Sequence, residues 1–335
     1  MLSRVAESVH WMARYVERAE DLTRVLAVHS LAFLDAPDRD AERGFRALVS
    51  FLGDAEVFAA HFDRCDARTV SEYFVCHPGN PSSVAASIAR ARENARAVRE
   101  QISSEMWEHL NRLYFAVKDA GPEDFVQAPY EFYRRVRDGS QAFQGITHAT
   151  MTHNEAYYFL QLGKHLERAS QTVRVLGMRY AAVSALEDGT PGATLELIAM
   201  LKACSAFEPF RRAAGSDLTT ARVAEFLLVN RQFPRAVLFC LKSCAEALGR
   251  IGEGAGPGAP ARPERPRQLL GRLCADLEFL ELPEVLGAAM HPFLDGLLHR
   301  LHLFADELAR SYFSTRLVLP RGRGGHAAPQ EQQQQ

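Results

Sequence analysis

The chain lacks any run of about 18–20 apolar residues, the length that crosses a bilayer as a helix, so no membrane span and no membrane partner are expected. Its opening, MLSRVAESVHWMARYVERAE, carries a charge every few residues. That pattern excludes the apolar core of a signal peptide, and a cytoplasmic location is expected. Cysteine is sparse and scattered: Cys65, Cys76, Cys204, Cys240, Cys244 and Cys274, with no C-x-x-C pair. Cys240 and Cys244 sit one helical turn apart without further zinc ligands, so reduced cytosolic thiols are expected. An excess of one charge is also missing. Lys plus Arg number 39 against 41 Asp plus Glu, for a net charge of -2. This balance offers nucleic acid no bulk attraction, and no nucleic-acid partner is expected.

Strand-like alternation is nearly absent. No glycine-rich phosphate loop follows a strand and there is no G-x-S-x-G, so no nucleotide-driven activity and no cofactor are expected. A carboxylate-bridged dimetal site in a helical bundle wants Glu-x-x-His on two helices. Glu7 and His10 supply it once, and the matching second stretch reads YYFL at 157–160, so no metal is expected.

What is present is helical periodicity, written twice. ARYVERAEDLTRVL at 13–26 and GKHLERASQTVRVL at 163–176 both carry Glu-Arg-Ala and both end in Arg-Val-Leu. In the first, Val5, Val9, Met12, Val16, Ala19, Thr23 and Leu26 alternate spacings of four and three, the heptad seam by which helices interlock; Trp11, Tyr15 and Leu22 widen it. In the second, Phe159, Leu162, Leu166, Ala169, Val173, Leu176 and Tyr180 do the same. Subtracting 150 places six of these seven on the first register. The fold class is therefore all-α: a multi-helix bundle with long heptad-patterned helices and an internal helical repeat.

The spacing predicts a first helix over 2–34 and a long middle helix over 81–117, opened by Asn80-Pro81 as cap and first turn. Shorter helices are expected over 40–52, 68–77, 122–139, 191–207, 219–230, 234–248, with Pro234 in the first turn, 266–280 and 283–313. The Gly- and Pro-rich stretch 249–267 reads as a mobile loop without helix. The segment 315–335 lacks apolar residues and reads as a disordered tail. One helical domain over 1–314 is expected.

On a helical wheel, Arg14, Glu17, Asp21 and Arg24 fall opposite the first seam, with Arg18 at its edge. Lys164, Glu167, Arg168 and Arg174 repeat this, while Gln171 replaces Asp21. Two readings stay open. One is a solvated face whose ion pairs contribute tenths of a kcal/mol. The other is a second interior, in which Glu17 and Glu167 are buried and need arginine partners. In the middle helix, Glu105, Trp107, His109 and Asn111 either line a pocket or form a boundary face with one buried histidine.

Four blocks in order, MLSRVAESVHWMARYVERAE, ENARAVREQISSEMWEHLN, LGKHLERASQTVRVL and RVAEFLLVNRQFPRAVLFCL, resemble the bacterial alpha-E proteins, helical domains bearing a Glu-Arg motif. The resemblance runs over 1–313. It implies companionship with ATP-grasp-type ligases and transglutaminase-like proteins, and so a role in making or trimming peptide-like amide bonds. It also implies motif residues at Arg14, Glu17 and Arg18, at Glu167 and Arg168, and at Glu105, Trp107 and Asn111, with Lys164 standing where the first copy has Arg14. The leading expectation is a non-catalytic helical partner or scaffold of such a ligase that binds its peptide product, with Arg18 and Arg168 gripping acidic termini. A second is an enzyme in which Glu17, Glu105, His109 and Glu167 do acid-base work on an amide in a cleft. A third is a purely structural bundle.

Overall fold

A computed structural model describes residues 1–32, 38–215, 217–252 and 263–314, and among these every regular element is helical. In chain order the helices are α1 Ser3–Ala32, α2 Asp38–Leu52, α3 Ala55–His61, α4 Ala67–Val75, α5 Val84–Ala97, α6 Ser104–Lys118, α7 Pro129–Thr150 and α8 Glu155–Val183. There follow α9 Pro191–Ala203, α10 Phe207–Ala214, α11 Thr220–Val229, α12 Val237–Arg250, α13 Glu264–Glu278, α14 Leu282–Val285 and α15 Met290–Leu308.

The repeated segments, α1 and α8, form the central pair. α5, α7 and α9 pack against α1, while α12, α15 and α9 pack against α8. The seam residues Val9, Met12, Val16, Ala19, Thr23 and Leu26 are buried, and so are all seven of the α8 seam. The two helices approach closely where Gly163 of α8 faces the backbone of His10 in α1. A Cβ built on Gly163 would lie 2.2 Å from the His10 carbonyl oxygen, so only glycine fits there. α8 starts where Asn154 caps it, its Oδ1 accepting from the Ala156 N–H at 3.0 Å.

The expected middle helix is instead two. Ser103 Oγ accepts from the Met106 N–H at 3.1 Å and caps α6, so the chain turns between α5 and α6. Asn80 is not the cap of α5; Ser83 is. The expected 191–207 helix breaks after Ala203, where Ser205 takes a left-handed φ of 51°, and α10 follows. The expected 283–313 helix breaks at Gly287, φ 68°, whose N–H donates to the Tyr180 hydroxyl at 2.8 Å. Expected 122–139 becomes α7, preceded by a π-helical turn, Glu123–Gln127. α12 starts at Val237 rather than at Pro234, because the Pro234 and Arg235 carbonyls are turned toward α8, accepting from Arg168 and Thr172. Within the expected loop 249–267, the flanks belong to α12 and α13. Residues 253–262, like the expected tail 315–335, lie outside the described residues. No described helix is long and apolar enough to cross a membrane.

Candidate functional site

α1 is covered on both sides, so the face opposite its seam is a second interior rather than a solvated surface. Glu17 is 0% exposed and Glu167 2%. Taking a carboxylate out of water costs several kcal/mol unless donors replace the water. Here the donors come crosswise, each motif glutamate meeting the arginine of the other motif. Arg168 donates to both oxygens of Glu17, Nε to Oε1 at 2.6 Å and Nη2 to Oε2 at 2.9 Å. Arg18 donates to both oxygens of Glu167, at 2.7 and 3.1 Å. Such two-point pairs are the strongest guanidinium contacts. Arg14 Nε adds a bond to Glu167 at 2.8 Å and Gln171 Nε2 another at 3.1 Å. Gln144 of α7 donates to Glu17 at 2.7 Å and accepts from Arg168 at 3.1 Å.

A third guanidinium enters from the irregular segment before α12. Arg235 donates to Glu17 at 3.1 Å and also to Glu20 and Asp21. Arg24 closes the end of the network on Glu20 and Ser205. Arg14 and Arg18 pack over the stacked rings of Trp11 and Tyr15, 4.8 and 5.5 Å from the centroids.

These contacts set the protonation states. Burial alone would raise the Glu17 carboxyl, but Arg168 and Arg235 outweigh it and hold it at about 2. Burial likewise opposes ionisation of Glu167, and Arg18 and Arg14 overcome it, driving its pKa well below the usual range. Asp21 goes the other way. Burial, opposed by Arg235 but helped by Glu17 and Glu20, raises it to about 7. Burial and the nearby Arg168 lower Lys164 to about 8.

The structure thus brings Arg14, Glu17, Arg18, Glu167 and Arg168 together, with Lys164 beside them. It does not bring Glu105 and His109 to them. Glu105 is exposed in the first turn of α6. His109 Nε2 lies 2.7 Å from the Gly139 carbonyl oxygen, and this bond points the ring at α7. Trp107 stacks beneath Arg99 at 4.5 Å and Asn111 accepts from Arg92 Nε at 2.6 Å, a separate cluster between α5 and α6. The pocket expected from Glu105, Trp107, His109 and Asn111 is therefore a helix-packing face. Arg168 is also not free to grip a peptide terminus, since Glu17, Gln144 and Pro234 take its donors.

Sequence reasoning missed Gln141, whose Nε2 donates to Glu20 at 3.1 Å, as well as Gln144, Glu20, Ser205 and above all Arg235. Arg235 carries no helical periodicity; the only signal was its place in NRQFPRAV, inside the fourth block quoted above. Among the described residues no group of three or more His, Cys, Asp or Glu is arranged to hold a metal.

The chain is 26% identical over 338 residues to uncharacterised proteins of Mycobacterium bovis and of two Mycobacterium tuberculosis strains. Each match covers 95% of this chain but 37% of the relative, so the chain spans little more than a third of the length of the curated relatives it matches. No solved structure matches it. The family model described as a predicted alpha-helical domain with a conserved ER motif matches residues 1–313, a span that includes the crossed Glu17–Arg168 and Arg18–Glu167 pairs: the chain belongs to the Alpha-E family.

Proposed function

We propose that this chain is a non-catalytic helical partner of an amide-forming ligase of the ATP-grasp type, holding the enzyme and its peptide product in place. The observation that carries the reading is the saturation of Glu17 and Glu167. A general base needs a pKa near the working pH and a free lone pair. Each of these carboxylates is held strongly ionised by two guanidiniums and has a side-chain amide as a further donor. Asp21, near 7, has the pKa of an acid-base catalyst, but it is buried and bonded to Arg235. The motif pairs therefore build a rigid body and do no chemistry.

Partnership is supported from two directions. In the mycobacterial relatives the matched region is joined to a longer stretch of other sequence, as expected of a domain that works beside another. The four sequence blocks resemble proteins that accompany ATP-grasp-type ligases and transglutaminase-like proteins. The test is co-purification. The tagged full chain, co-expressed with the ligase of the same genome, should bring it down as a stable complex. If both proteins are present and no complex forms, the reading fails.

A further inference from the structure

The two halves of the charged network come from one repeat but are not balanced alike. With the offset of 150, Glu17 corresponds to Glu167, Glu20 to Ser170, Asp21 to Gln171 and Arg24 to Arg174. Around Glu17, the guanidiniums of Arg24, Arg168 and Arg235 face the carboxylates of Glu17, Glu20 and Asp21. Around Glu167, the guanidiniums of Arg14, Arg18 and Arg174 line one cavity with a single carboxylate, that of Glu167, among the described residues. Two negative charges present in the first half are absent from the second.

The donors left over face a space. Arg14 spends only Nε on Glu167, so both its terminal nitrogens remain, and Arg18 keeps Nη1. Arg24 donates to Glu20 and Ser205, whereas its counterpart Arg174 makes no hydrogen bond or ion pair among the described residues. All three arginines line a cavity of about 170 Å³ together with Ser170, Gln171 and His302. Burial first, then Arg18 and Arg14, lower the Arg174 pKa against the pull of Glu167. Cations that outnumber the counter-charge beside them are the situation that a bound anion relieves.

We propose that this cavity binds a dicarboxylate of amino-acid size, a terminal glutamyl or aspartyl group, whose two carboxylates take the places that Glu20 and Asp21 hold in the other half. The charge then closes as it does around Glu17. Forked guanidiniums match planar carboxylates. The volume is below that of the usual pocket for a drug-sized ligand, roughly 300 Å³ and up, so a nucleotide does not fit. The inference names the ligand group of the proposed partner domain, yet it stands or falls separately. Binding is read on the isolated full chain, and partnership by co-purification.

The experiment is calorimetric titration at low ionic strength with N-acetylglutamate, glutarate, acetate and inorganic phosphate. The two dicarboxylates should bind, with acetate and phosphate much weaker. Arg174→Gln removes a guanidinium that makes no hydrogen bond or ion pair among the described residues and should weaken dicarboxylate binding about tenfold or more, the loss of one charge-assisted pair. Ser170→Glu places a carboxylate four residues before Arg174, as Glu20 stands before Arg24, and should abolish binding with the helical circular dichroism unchanged. The proposal is overturned if millimolar dicarboxylate gives no heat, if phosphate or acetate binds as tightly, or if Arg174→Gln leaves the affinity as it was. Should Ser170→Glu fail to fold, Arg174→Gln alone decides.

Discussion

Glu17→Gln and Glu167→Gln are the same chemical change at corresponding positions, and they should not cost the same. Among the described residues Glu167 is the sole carboxylate lining the cavity with Arg14, Arg18 and Arg174. Neutralising it leaves guanidiniums buried with no counter-ion, which costs about 3–5 kcal/mol. Glu17 starts from a comparable value: a fall from 4.5 to about 2 corresponds to roughly 3 kcal/mol at neutral pH, at about 1.4 kcal/mol per pH unit. Its loss leaves Arg168 with the neutral Gln144 and Pro234 carbonyl, but it is cushioned at Arg235. Glu20 and Asp21 still face Arg235, and removing Glu17 takes away one of the charges that hold Asp21 near 7. Asp21 then ionises more fully against Arg235, so the net cost falls to about 1–2 kcal/mol by the same conversion. Urea unfolding at pH 7.5 and low salt, followed by far-ultraviolet circular dichroism, gives both values from the midpoints if the slopes stay constant. Equal losses, or a larger loss for Glu17→Gln, would refute the account of the two halves as unequally charged.

Gly163→Ala should lower stability by about 2–3 kcal/mol, the range of an overpacked core, because its Cβ meets the His10 carbonyl oxygen of a neighbouring backbone; thermal unfolding measures it, and an unchanged midpoint would contradict the close crossing. His10 and His29 are both lowered to about 3, first by burial. They stay neutral in the folded chain while the unfolded chain takes up protons below 6.5, so stability should fall as pH drops from 6.5 towards 3. Asp21, raised from 3.8 to about 7, has the opposite sign. The stability of the wild type relative to Asp21→Asn should decline as pH rises through that window, and a flat difference would remove Asp21 from the network. Glu105→Gln, on an exposed side chain, should change stability by less than about 0.5 kcal/mol.

The central pair was legible because a heptad seam is a local signal: each buried position of α1 and α8 announces itself by its distance from the next. Their common register was legible for the same reason. The burial of the opposite face was not, since a wheel drawn for one helix says nothing of what packs behind it. The repeated Glu-Arg was the only sign that a third layer covers Glu17 and Glu167. The break at Ser103 left a trace, the drift of the seam from Ile102 to Met106, but drift alone does not tell a bend from a turn. Arg235 left none. It reaches Glu17 from 218 residues away on a segment without regular structure, and no periodicity connects the two.

A heptad seam has a weakness that the charges mend. α1 meets α8 through its charged face, His10, Arg14, Glu17 and Arg18 against Gly163, Glu167 and Arg168, so apolar seams that repeat every seven residues do not choose how far α8 sits along α1. The crossed pairs do. Each helix offers one glutamate and one arginine in adjacent positions, and the two links Glu17–Arg168 and Arg18–Glu167 form together only at this offset. Any slide breaks both and buries four charges unpaired, while Gly163 no longer meets the His10 carbonyl. We therefore assign the motif a register-pinning role. It predicts a non-additive double-mutant cycle for Glu17→Gln with Arg168→Gln, with a coupling of about 1–3 kcal/mol. Additive losses would mean that the apolar seam sets the register without help from the motif.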